Sequence, residues 1–200
     1  MFNDLVQQIV SVLRYIASPA VGFLMVFLTD DKHGIAQAVA EVVWPWNGPP
    51  STWLMAGFLA VAGVTVYFAH RTLFHRLVTK RLVEHHARKL SVERTAGEEL
   101  LDTLAFARWE RRGSAANSSK QSVQSVLDES NAAIHFFYCS GWSAILFALI
   151  LRFGFPNNYK PTFSAWIVFG VIVVGLFVTA LIGDSRTARL DMEAYLRFKK

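Results

Sequence analysis

Residues 53–89 read WLMAGFLAVAGVTVYFAHRTLFHRLVTKRLVEHHARK, and they decide how the rest of the chain is understood. The first seventeen, Trp53 to Ala69, carry no charge. At about 1.5 Å per residue a helix of that length nearly crosses a hydrocarbon layer of about 30 Å. With no turn signal between, the chain becomes strongly basic: Arg71, Arg76, Lys80, Arg81, Arg88 and Lys89 stand against the single acid Glu84. A basic cluster at the end of an apolar helix marks the cytoplasmic side of a membrane.

The composition agrees. Of 200 residues 53% are hydrophobic and only 18% charged, below the quarter usual in soluble domains. The formal net charge of +5 then reflects inner segments that meet anionic lipid and does not require nucleic acid. A single cysteine, Cys139, excludes an intrachain disulfide.

Working outward, the sequence predicts four transmembrane helices in an all-α polytopic membrane protein. The first lies within Leu5–Thr29, which holds one charge, Arg14, expected to snorkel to the headgroups. It is not read as a signal peptide, because Asp30, Asp31 and Lys32 separate it from the small-residue site Ala38-Val39-Ala40. An outer loop follows, with a short amphipathic helix expected over Ile35–Trp44. Trp44, Trp46 and Trp53 form an interfacial belt. The second span is Trp53–Ala69, the third Ala132–Leu151 and the fourth Phe163–Gly183, which has no charge.

Between spans two and three, residues 70–131 hold eleven Lys and Arg against eight Asp and Glu. Leu73, Leu77, Leu82, Val83 and Leu90 recur at helical spacing, as do Leu100, Leu101 and Leu104 after Gly97. GSAANSS at 113–119 is the turn, and Val123, Val126 and Leu127 begin the return. The product is a cytoplasmic helical hairpin. The expected divisions are therefore 1–69, with the first two spans; 70–131, the hairpin; and 132–200, with the last two spans and a basic tail. Sixteen Lys and Arg inside against three outside place both termini in the cytoplasm of a bacterial inner membrane.

Ser140, Ala144 and Ala148 make a row of small residues four apart, the spacing that lets helices approach closely in lipid, for packing or homo-oligomerisation. No phosphate loop, HExxH or CxxC is present, so no enzyme activity is expected. Gly183-Asp184-Ser185, at the end of span four, is no hydrolase signal. His70 and His135 are the metal or haem candidates, one at each of two inner span ends. Capping of carbonyls or contact with lipid phosphate is the ordinary role of such residues, so neither metal nor cofactor is expected. His75, His85 and His86 are read as part of a solvated face. The basic helix suits lipid near its root. The acids Glu93, Glu98, Glu99, Asp102 and Glu110 suit a cytosolic protein partner at the tip and disfavour nucleic acid. An ion channel or pore is the alternative function, with Arg14, Ser140, Ser143 and Thr179 as lining candidates.

In its length, four spans and inner hairpin, the chain resembles the small membrane subunits of bacterial anti-phage systems, such as the membrane component of Kiwa. The resemblance lies in architecture and carries no site residues. It implies a homo-oligomer that senses membrane disturbance and works with a cytosolic effector.

Overall fold

The computed structural model describes residues 17–29, 50–89, 97–113, 118–154, 156 and 159–198. All its regular elements are helical: α1 (Ser18–Leu28), α2 (Pro50–Ala69), a π turn (His70–His75), α3 (Arg76–Lys89), α4 (Gly97–Gly113), α5 (Ser118–Gly154) and α6 (Phe163–Phe198). Among the described residues, two stretches are long and apolar enough to cross a membrane, Val126–Gly154 and Phe163–Arg197. Arg14, the surface helix expected over 35–44, and Trp44 and Trp46 lie outside the described residues. So do residues 114–117 of the expected turn, between the end of α4 and the start of α5.

The chain divides into two compact units, one of residues 1–69 with 135–179 and one of 70–134 with 180–200. In the first, the core is Val26, Ala144, Phe147, Ala148, Leu151, Tyr159, Phe169 and Val173. α1 closes on Thr29, whose hydroxyl donates to the Val26 carbonyl at 2.6 Å. Its one proton is thereby used, so the Tyr159 hydroxyl, 3.1 Å away, is the donor to Thr29 Oγ1. Thr162 caps α6, its Oγ1 accepting from the Ala165 amide at 3.3 Å, three residues into the helix. Beyond the cap, Phe163, Ile167, Val168, Val171 and Val174 are exposed. An uncovered apolar face of that extent is what a helix in contact with lipid or a partner presents.

The second unit has its own core, in which Val83 and Ala87 of α3 meet Leu100 and Leu104 of α4 and Ala188 and Met192 of α6. The basic tail read from the sequence is thus a structural part of this unit. α6 does not end at Gly183, where the fourth span was expected to stop, but runs to Phe198. The reason is steric: a Cβ at Gly183 would lie 2.8 Å from Ile134 Cγ1, so this glycine makes room for a side chain and does not terminate a helix.

Candidate functional site

The polar chemistry of the second unit gathers on two elements, the π turn with α3 and the C-terminal part of α6. In an α-helix two residues five apart point about 140° away from each other. The i→i+5 bonding of the π turn changes that phase. His70 and His75 come to lie with ring centroids 5.8 Å apart. His75 Nδ1 is 3.6 Å from Asp184 Oδ2 on α6, and the Thr79 hydroxyl is 3.4 Å from the same nitrogen. The Asp184 side chain is 4% exposed and that of His75 21%. Burial, reinforced by His75 and opposed by Asp184, lowers the pKa of His70 to about 4. Its imidazole is therefore neutral at physiological pH.

Further along the same two elements, His86 Nε2 meets Ser185 Oγ at 3.1 Å. Burial, then His85 and Lys89, lower the pKa of His86, while Ser185 acts in the opposite sense. The expectation of a common solvated face for His75, His85 and His86 is corrected on this point. His85 is exposed, but His86 is buried and His75 partly so, because α3 turns that side onto α6. One α6 turn pair later, the Arg108 guanidinium of α4 donates from Nε at 2.9 Å and from Nη2 at 2.8 Å to Asp191 Oδ2. Asp184, Thr187 and Asp191 are all buried. They form one stripe, since residues three and seven apart share a helix face.

The opposite side of the root is amphipathic and open. Arg71, Arg76, Arg81, Arg88 and Lys89 are exposed and Lys80 is half-buried. Leu73, Phe74 and Leu77 are exposed among them. On α4, Phe106 and Trp109 are exposed at 59% and 67% and lie with ring centroids 5.7 Å apart.

The remaining sequence candidates fall in the first unit. His135 is buried, its ring edge-on to Tyr67 with centroids 5.3 Å apart. Ser140, Ala144 and Ala148 are buried. Ala144 and its neighbour Ser143 receive α1, for a Cβ on Gly22 would come 2.6 Å from the Ala144 nitrogen and from Ser143 Cβ. The row thus has an intrachain neighbour. Ser140 and Ser143, named as pore-lining candidates, are enclosed, whereas Thr179 is exposed. Trp53 belongs to α2, and Arg14 lies outside the described residues.

Sequence reading missed His75, Asp184 and Asp191 as a group. The signal for the α6 side was available: Asp184, Thr187, Ala188, Asp191, Met192 and Tyr195 keep the helical period past the apolar run. No protein family matches the chain, and neither a curated protein nor a solved structure is significantly similar to it.

Proposed function

We propose that this chain is a four-span, non-enzymatic membrane protein whose inner helical unit holds a cytosolic protein at the membrane. The spans are α2, the apolar parts of α5 and α6, and a first one that includes α1. In this reading the termini and the hairpin lie inside, which the charge bias supports. Support for a membrane comes from the two long apolar helices and from the exposed apolar face of α6. The basic root, with Leu73, Phe74 and Leu77 between its arginines, is suited to anionic headgroups.

The observation that carries the docking role is the exposed Phe106–Trp109 pair. It stands on α4, whose other side is anchored in the core by Leu100 and Leu104, so the rings are presented by a fixed element. Aromatic anchors on a rigid support are the common centre of protein interfaces. The exposed acids Asp102 and Glu110 beside them favour a basic protein surface. Self-association belongs to the same proposal and uses the α6 face, since Gly22 already occupies the small-residue row. The resemblance in outline to anti-phage membrane subunits would suit a place beside a cytosolic effector.

A photo-crosslinking phenylalanine in place of Trp109, in the full-length protein in cells, tests the reading. A defined adduct with one cytosolic protein is expected, lost on Phe106→Asp while membrane insertion persists. Adducts to lipid alone, or to a second copy alone, would show that the pair serves a different surface.

A further inference from the structure

We propose that His70, His75 and Asp184 form a binding site for a divalent transition-metal ion of the zinc class. Imidazole nitrogen and carboxylate oxygen are the donors that borderline divalent ions take. The three residues come from two elements of one unit, the π turn and α6. Of their spacings, that between His75 and Asp184 is close to what an ion needs. Bonds of about 2.0–2.2 Å in a tetrahedron put donor atoms roughly 3.3–3.5 Å apart. His75 Nδ1 and Asp184 Oδ2 already stand at 3.6 Å. Ring nitrogens of His70 and His75 lie within 4.8 Å of each other, a gap that side-chain rotation closes.

The environment fits as well. His70 is 2% exposed and Asp184 3%, so donors and ion would be shielded from bulk water, while partly open His75 provides the way in. The Thr79 hydroxyl lies 3.5 Å from the other ring nitrogen, His75 Nε2, and from there can steady the ring. Three protein donors leave a fourth position for water. In this place the ion would tie the π turn to α6, independently of whatever the α4 surface binds. The π turn itself acquires a reason, because a regular α-helix would turn His70 and His75 to different faces.

The test uses the full-length protein in detergent, with a purification tag free of histidine, stripped with chelator and titrated with Zn²⁺ against a chromophoric competitor. One equivalent is expected, with affinity at least tenfold weaker in both Asp184→Asn and His75→Gln and unchanged in His85→Gln, which alters an exposed neighbour. Co²⁺ should give the intense visible bands of a low-coordinate nitrogen and oxygen site in the wild type. This second measurement decides the matter if either variant misfolds. Sub-stoichiometric Zn²⁺ with a Co²⁺ spectrum of the hydrated ion overturns the proposal, as does stoichiometric binding that both variants retain.

Discussion

Gly22 has no room for a methyl group. The atoms that a Cβ would meet at 2.6 Å include a backbone nitrogen, Ala144 N, which cannot rotate away as a flexible side chain can. Gly22→Ala must therefore separate α1 from α5. A loss of about 1–3 kcal/mol is expected, the usual range for overpacking. Gly57 on α2 has nothing within 4 Å of its Cβ position, so Gly57→Ala supplies the control. It should be neutral or stabilise by about 0.5–1 kcal/mol, because alanine is the better helix former. Thermal unfolding of the two purified variants checks this, and equal shifts would mean that α1 does not seat on α5 at Gly22.

At the scale of elements, the tie between α4 and α6 is the Arg108–Asp191 pair. One carboxylate oxygen, fully buried, accepts from two guanidinium nitrogens. Asp191→Asn leaves the guanidinium facing an amide and should cost about 1.5–3 kcal/mol, the range for hydrogen bonds to charged groups. Hydrogen exchange should quicken in peptides covering Gly97–Gly113. By contrast, Arg189 and Glu193 form an exposed pair four residues apart on α6, at 2.8 Å. Water screens such a pair, so Arg189→Gln should leave α4 exchange unchanged. The contrast also shows what the sequence discloses. The helices α2, α5 and α6, and the change from polar to apolar sequence within α5, follow from runs of apolar residues and their period. The polar stripe of α6 repeats at the same period but is short, charged and beyond the last apolar residue, where solvent exposure is the ordinary expectation. That Asp184 meets His75, or Asp191 meets Arg108, depends on tertiary packing between segments 109 and 83 residues apart. No local pattern encodes such a pairing.

For the whole molecule the decisive quantity is topology. Single cysteines in a Cys139→Ala background can be labelled with membrane-impermeant thiol reagents. Asn47→Cys and Asn157→Cys should label in intact cells, and Ser114→Cys and Arg197→Cys only after permeabilisation. Labelling of Ser114→Cys from outside would invert the protein and remove the basis for a cytosolic partner and for lipid binding by the basic root. The native thiol does not confuse the result even before replacement, because Cys139 is fully buried. Thr29 adds a dimension of time. Its hydrogen-bond partner Tyr159 lies 130 residues later in the chain. At about 5–20 residues per second, synthesis reaches Tyr159 roughly 6–26 s after Thr29. For all of that interval the newborn α1 lacks the Tyr159 hydroxyl that donates to Thr29, and for most of it the Ala144 surface that receives Gly22. Something other than the chain's own second half must shelter its apolar surface until that half arrives.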